Sequence, residues 1–517
     1  MSIGDYTAKV DEVIKRDDIR GVYGVNIDRR FAHDLGLLLA DAFCLATAVH
    51  PVNVAIGHDM RLSGPVLAEG LRQGLEDGGC RPIMMGRAGT ELVGFLPAKY
   101  SGLIDGSVMI TASHNPKDNN GFKMFGRAGK PLSLAVEEPA PHPEDELQRV
   151  ALGLKKQAVP ERLAWDEFAP DYIRTILDRG NCDFEAAAEG AAEPLRIAVE
   201  AGNGMGGRIL GEFAEMAPQF KWRLSNEVPD GSFPIIIPNP LQREYQQMLA
   251  DLVERTGSHV GICFDGDADR VAVMDEQCRM VSPPLLTTMV GKRLREKIGP
   301  DIKIAFNLAS SWVVADTLGD RQEVLGEGGA VMTPVGYGKI KAIMYDDPEI
   351  AFGAEHSGHY MFREFWCTDS GMMAGLLMLE LTAELHAEGR PLSDLLAEPR
   401  SRYFESGEIN FELPPDRPAE GVIKQATERF SDQIERTYVV VDDRCRLVDS
   451  YPPEGLELSV ADVRAEAADW WFCMRKSGTE GGAGDLLRLY VEACDDRELM
   501  ETRRDALVEM VGPDLRV

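Results

Sequence analysis

At 517 residues the chain is longer than a single hydrophobic core usually holds, so three or four domains are expected. Its 85 acidic residues against 55 basic ones give a net charge of −30, which excludes nucleic acid and anionic membrane as natural partners. No run of about 18 apolar residues occurs and the opening MSIGDYTAKVDEVIKRDD has no apolar signal region, so a cytoplasmic chain without a membrane span is expected.

In chain order, short β-branched runs alternate with amphipathic stretches, a pattern that reads as α/β. VNVAIG (52–57) predicts a buried strand, followed by a helix near Pro65–Asp77 and a strand at Pro82–Met85. A strand at Gly106–Ile110 runs into Thr111-Ala112-Ser113-His114-Asn115-Pro116. A serine beside His and Asn on a polar loop suits a nucleophile, because its weak hydroxyl needs polar help. The same segment also reads as an Asn-Pro turn with a capping serine. Glu137–Asp145 and Glu185–Pro194 read as exposed loops.

The strand LRIAVEA (195–201) leads into Gly202-Asn203-Gly204-Met205-Gly206-Gly207 and a helix at Arg208–Met216. This satisfies G-x-G-x-x-G, and Glu227 lies twenty residues beyond the last glycine, so an NAD-dependent oxidoreductase competes with a plain strand-to-helix turn. VGICF (260–264) leads into Asp265-Gly266-Asp267-Ala268-Asp269-Arg270. Alternating carboxylates on a tight loop can aim three oxygens at one hard cation. An EF-hand fails here, since Arg270 stands where that loop needs glycine and Val271–Met274 reads as a strand.

After the strand IKIAFNL (302–308), Glu355-His356-Ser357-Gly358-His359 lies between the apolar pieces IAFG and YMF. Such side chains can hydrogen-bond sugar hydroxyls, with a histidine for proton transfer. From Ser401 onward YVVVDD, LELSV, WWFCMR and LRLYVEA predict strands and Ala419–Arg429 and Arg497–Val511 predict helices, a smaller α+β domain. Arg475-Lys476-Ser477-Gly478-Thr479-Glu480, then GGAGD and Arg488, forms either a phosphate cradle or a flexible glycine-rich hairpin.

Taken in order, TASHNP, Asn120-Gly121-Phe122-Lys123, DGDADR, EHSGH and RKSGTE resemble the α-D-phosphohexomutase family. Asp18–Gly21, Gly57–Ser63 and Pro238-Asn239-Pro240 belong to the same likeness. The resemblance implies three serial α/β domains with mixed sheets and a smaller α+β C-terminal domain around a central cleft, with boundaries at 1–166, 167–282, 283–400 and 401–517. It implies interconversion of hexose 6-phosphate and hexose 1-phosphate through phosphoserine and a 1,6-bisphosphate, with Mg²⁺ as cofactor and the bisphosphate as activator.

Carried across, Ser113 is the phosphoserine and joins Asp265, Asp267 and Asp269 around the metal. His114, Lys123, Arg20 and His359 lie at the reacting oxygen. Arg270, Lys341, Glu355, Ser357, Arg475, Ser477, Gly478 and Thr479 take the sugar phosphate. The text EHSGHYMFREFWCTDSG resembles the mannose-type branch, so mannose is the expected sugar, with glucose second. A monomer or dimer acting on a small sugar phosphate is expected, with a non-catalytic sugar-phosphate-binding homologue as the remaining alternative. The inserted GGAGD departs from the family and leaves the role of Arg488 open.

Overall fold

The computed structural model describes residues 13, 18–45, 51–127, 162–163, 165–326, 328–453, 458, 460–477 and 485–517. The chain packs as two compact units, one of Met1–Met280 with His359–Leu392, the other of Val281–Gly358 with Ser393–Val517. Among the described residues no helix is long and apolar enough to cross a membrane.

The first unit is built on two mixed sheets. Strands β1 (Ile19–Val22), β2 (Asn53–His58), β3 (Arg81–Arg87), β4 (Gly106–Ile110) and β5 (Asn119–Phe125) lie in the order β1-β5-β4-β2-β3. β2 is parallel to β3 and β4, whereas β5 runs antiparallel to β4 and β1. This register sets Arg20 opposite Gly121 and Met109 opposite Lys123.

Helices Arg29–Leu45 and Gly64–Asp77 pack closely against each other beside this sheet. A Cβ at Gly74 would stand 1.9 Å from the carbonyl of His33, and one at Gly70 would stand 2.3 Å from that of Arg29. Only residues without side chains let the two backbones approach so far. The space behind is filled by Phe31, Leu35, Leu67, Leu71, Ile56, Val108 and Phe122.

The second sheet has β6 (Arg196–Glu200), β7 (Lys221–Ser225), β8 (Val260–Phe264) and β9 (Val271–Asp275), side by side as β7-β6-β8-β9. β6 is parallel to β7 and β8, and β9 returns antiparallel to β8. Every residue of β8 is buried, as its unbroken apolar text requires. The sharp reversal from β8 to β9 is the DGDADR loop.

In the second unit, strand Lys303–Asn307 lies parallel to Ala330–Thr333 on one side and Ile350–Ala354 on the other. The C-terminal sheet joins Tyr403–Glu405, Ile409–Glu412, Arg436–Val441, Arg444–Val448, Val460–Glu466, Trp470–Lys476 and Leu486–Cys494. Helices Ala419–Arg429 and Arg497–Val511 cover it over a core of Phe411, Ile423, Phe472, Leu489 and Leu507.

Buried polar groups tie the two sheets of this unit together. Trp312 Nε1 donates to Glu466 at 2.8 Å, its amide donates to Glu492 at 2.9 Å, and Arg464 Nη1 donates to the carbonyl of Leu308 at 2.9 Å. Three serial α/β domains and a strand-rich C-terminal domain are therefore present as expected. The expected strand LELSV falls largely outside the described residues; a strand is described at Val460–Glu466.

Candidate active site

The serine loop leaves β4 where β4 is hydrogen-bonded on both sides, which makes its departure rigid. Ser113 is buried and adopts φ 50°, a left-handed conformation costly for a residue with a Cβ. Arg61 offsets that cost. Its Nη2 donates to the carbonyls of Ser113 (2.9 Å) and Asn115 (2.7 Å), and its Nη1 to those of Pro116 (2.6 Å) and Asn119 (2.9 Å).

Arg61 is held in turn by Asp59, whose Oδ2 receives Arg61 Nε at 3.2 Å and Thr111 Oγ1 at 2.7 Å. Thr111 Oγ1 accepts the Ser113 amide at 2.8 Å. Burial raises the Asp59 carboxyl above its ordinary range, although Arg61 and Thr111 oppose the shift. The Asp59–Arg61 pair lies within GHDMRLS, where nothing local to the sequence marks its role.

The metal loop meets the serine loop directly. Ser113 Oγ donates to Asp265 Oδ2 at 2.6 Å, and Arg270 Nη2 donates to Ser113 Oγ at 3.2 Å and to His114 Nδ1 at 2.7 Å. His114 therefore accepts at Nδ1, in keeping with a pKa pushed well down by burial and then by Arg270 and Arg20. A Cβ at Gly266 would stand 2.5 Å from the carbonyl of Ser113, so the contact between the loops requires glycine there.

Asp265, Asp267 and Asp269 each present an oxygen within 4.8 Å of the others, and all three are buried. The Oδ1 atoms of Asp267 and Asp269 are buried with no hydrogen-bond partner among the described residues. Burial and then the other two carboxylates push Asp265 well above its usual range. Such crowding of like charge with orphaned oxygens fits a hard divalent cation, whose oxygen ligands these carboxylates would supply.

Lys123 Nζ bridges Asp267 (3.0 Å) and Asp269. Burial draws the ammonium down, but the two carboxylates outweigh it and hold its pKa above the usual lysine value. Thr90 Oγ1 also donates to Asp267, at 2.5 Å, and the Thr90 amide donates to the Asp267 carbonyl at 3.0 Å. Arg20 donates through Nη1 to the carbonyl of Thr111 and pairs with Asp18 at 2.7 Å. His359 forms a backbone bridge with Arg270 and sets Nδ1 3.3 Å from Asp369. Ser113, His114, Lys123, Arg20, Arg270, His359 and the three aspartates thus share one cluster in the first unit.

The glycine segment 202–207 serves this cluster. The Met205 amide donates to the carbonyl of Gly266 at 2.9 Å, and a Cβ at Gly206 would meet the Phe264 ring at 2.8 Å. The turn is thus packed against the aspartate loop, and the oxidoreductase reading is not favoured.

In the second unit, Glu355 is buried and receives the Gly336 amide at 2.8 Å, Asn307 Nδ2 at 3.3 Å and Ser357 Oγ at 3.3 Å. Lys341 is buried with Nζ over the Tyr337 ring, 4.9 Å from its centroid. Tyr490 Oη lies 2.6 Å from His356 Nε2 and donates to Glu408.

Arg488 Nη1 reaches both oxygens of Glu408 (3.0 and 3.1 Å), while its Nη2 donates to Ser477 Oγ at 3.3 Å. Arg475 lies opposite Arg488 across the sheet. Gly478, Thr479 and residues 481–484 of the insertion lie outside the described residues. Asn307, Glu408 and Tyr490 carried no motif and escaped the sequence; only the folding of distant strands shows them.

Comparison with known proteins identifies the family. Phosphoglucomutase/phosphomannomutase alpha/beta/alpha domains I, II and III match residues 11–139, 170–278 and 285–403. The phosphohexose mutase of Xanthomonas campestris pv. campestris (strain B100) is 30% identical over 498 residues, covering 96% of this chain and 98% of its own length. The phosphomannomutase of Escherichia coli (strain K12) is 28% identical, with 96% and 98% covered.

In fold, the chain is similar to a phosphoglucomutase/phosphomannomutase family protein of Burkholderia thailandensis, at TM-score 0.69 and 21% identity over 97% of this chain and 98% of that one. The three matched domains are those of a phosphohexomutase. The chain belongs to the phosphoglucomutase/phosphomannomutase family, the α-D-phosphohexomutases, and is an enzyme of that class.

Proposed function

We propose that the chain interconverts hexose 6-phosphate and hexose 1-phosphate, with mannose the favoured sugar and glucose the second, through phosphoserine 113 and a hexose 1,6-bisphosphate. The observation that carries this reading is the 2.6 Å contact between Ser113 Oγ and Asp265 within a buried carboxylate triplet. We assign the working segments to 1–166, 167–282, 283–400 and 401–517.

In the first half-reaction the Oγ–P bond of phosphoserine breaks and a P–O bond to the sugar hydroxyl forms. The hydroxyl proton leaves to a base, a role we assign to His359, which Asp369 faces at 3.3 Å. In the second, the sugar O–P bond of the other phosphate breaks, that phosphoryl group passes to Ser113 Oγ, and the freed sugar oxygen takes up a proton, closing the cycle. When bound, Mg²⁺ supplies charge neutralisation for the transferring oxygens, and Asp265, Asp267, Asp269 and Ser113 would hold it.

Arg270, aimed at Ser113 Oγ, and Lys123 beside Asp267 and Asp269 place fixed positive charge where phosphoryl charge is handled. Arg20 steadies the carbonyl of Thr111 and, with it, the serine loop. Glu355 and Ser357 are assigned to sugar hydroxyls. Arg475, Ser477, Gly478 and Thr479 are assigned to the distal phosphate, with Lys341 as a further cation.

Assay of mannose 1-phosphate and glucose 1-phosphate with Mg²⁺ and bisphosphate activator tests the proposal. Turnover of mannose 1-phosphate, the higher kcat/KM for that sugar and phosphate on the Ser113 peptide by mass spectrometry are expected. Undiminished activity in Ser113→Ala would refute the serine mechanism.

A further inference from the structure

Glu408 is an anion among cations. Its carboxylate takes Arg488 Nη1 on both oxygens, accepts from Tyr490 Oη, and lies 3.8 Å from His356 Nε2. Burial works to raise this carboxyl, yet His356 and Arg488 outweigh it and hold the pKa at about 2, so it stays ionised at neutral pH. Arg488 spans from this carboxylate to Ser477 Oγ, and Arg475, its cross-strand partner, has a buried Nε with no hydrogen-bond partner among the described residues. A carboxylate and a phosphate present the same oxygens to a guanidinium fork.

We propose that Glu408 is a built-in competitor of the substrate's distal phosphate, holding Arg488 until phosphate displaces it and thereby setting substrate affinity in this loop. The inference rests on the assignment of Arg475 and Ser477 to that phosphate. Pairing with Glu408 balances the Arg488 charge when no phosphate is bound, and the carboxylate remains nearby to oppose an incoming anion. Arg488 then stays ordered without the substrate, and phosphate binding is moderated so that the bisphosphate can leave and re-enter. Tyr490 and His356, which also meet Glu408, would register the exchange on the sugar-binding loop.

The test is calorimetric titration of the full chain with inorganic phosphate, alongside steady-state kinetics. Glu408→Gln keeps the shape and removes the charge, and it should bind phosphate about fivefold more tightly, the scale of one partly solvated ion pair. KM for the sugar phosphate should fall in step and kcat should not rise. Tyr490→Phe, which frees Glu408 without neutralising it, should move KM by less than Glu408→Gln does. The gain must vanish when Arg475→Ala is added to Glu408→Gln, which ties it to this loop. Unchanged or weaker phosphate binding in Glu408→Gln would make Glu408 a mere support for Arg488 and overturn the proposal. Failure of the mutase reading would appear separately, as absent turnover in the unaltered chain.

Discussion

Arg61 Nη2 stands 2.9 Å from the carbonyl oxygen of Ser113, so the serine proposed to react is positioned by a guanidinium that makes no hydrogen bond to its hydroxyl. Arg61 spends all of its donors on the serine loop and Asp59, and Phe233 covers its face at 5.3 Å. Serine geometry is therefore a property of a buried ion pair.

Removing Arg61 alone should be severe. Arg61→Met leaves Asp59 buried and four carbonyls without their donor, and stability should fall by about 3–5 kcal/mol, the scale for breaking a buried pair. Urea unfolding measures it. The double variant Asp59→Asn with Arg61→Met should be less unstable than the single one, yet still catalytically impaired, since the loop is no longer held.

Gly266→Ala should separate stability from catalysis. Its new Cβ would fall 2.5 Å from the Ser113 carbonyl, so the serine loop must retreat from the aspartates. A loss of about 1–3 kcal/mol in stability is expected, and a fall of about 100-fold in kcat, because misplacement on the ångström scale has that effect. Equal kcat in the two proteins would contradict the close-contact account.

Mg²⁺ should stabilise the folded chain, because the crowded carboxylates of Asp265, Asp267 and Asp269 repel one another without it. Differential scanning fluorimetry should show Tm rising with Mg²⁺ and falling again with EDTA. In Asp269→Asn one ligand charge is lost and half-saturation should need at least about tenfold more Mg²⁺.

Glu91 predicts a pH signature. It lies at the start of the helix Thr90–Lys99 and accepts from Ser370 Oγ (2.6 Å), the Met372 amide (2.9 Å) and Tyr172 Oη. Burial pushes its carboxyl up to about 8, with Ser370, Tyr172 and the Met372 amide opposing the shift. A carboxyl whose pKa is higher folded than unfolded binds more protons in the folded state. Its effect is therefore to lower stability as pH rises from about 4.5 to about 8. Glu91→Gln should remove that slope, gaining on the parent by on the order of a few kcal/mol between pH 5 and pH 8 in urea unfolding.

The sequence by itself determined the main elements, the family and the loops to which the chemistry is assigned. Strands such as Gly106–Ile110 and Val260–Phe264 are legible because they are short, mostly apolar runs that end in polar turn-forming loops. TASHNP, DGDADR and EHSGH declare themselves because their chemistry is local to a few residues. The tertiary structure alone decided what surrounds them.

Asp59 and Arg61 lie more than fifty residues before Ser113, Thr90 lies 177 before Asp267, and Glu408 meets Arg488 across 80. Each partner is an ordinary residue in its own neighbourhood of the chain. The G-x-G-x-x-G text shows the converse: a local pattern suited to a dinucleotide became a support for the metal loop once Gly266 took the amide of Met205. Hydrogen bonds and ion pairs depend on distance in space, which sequence spacing records only within a helix turn or a strand pair.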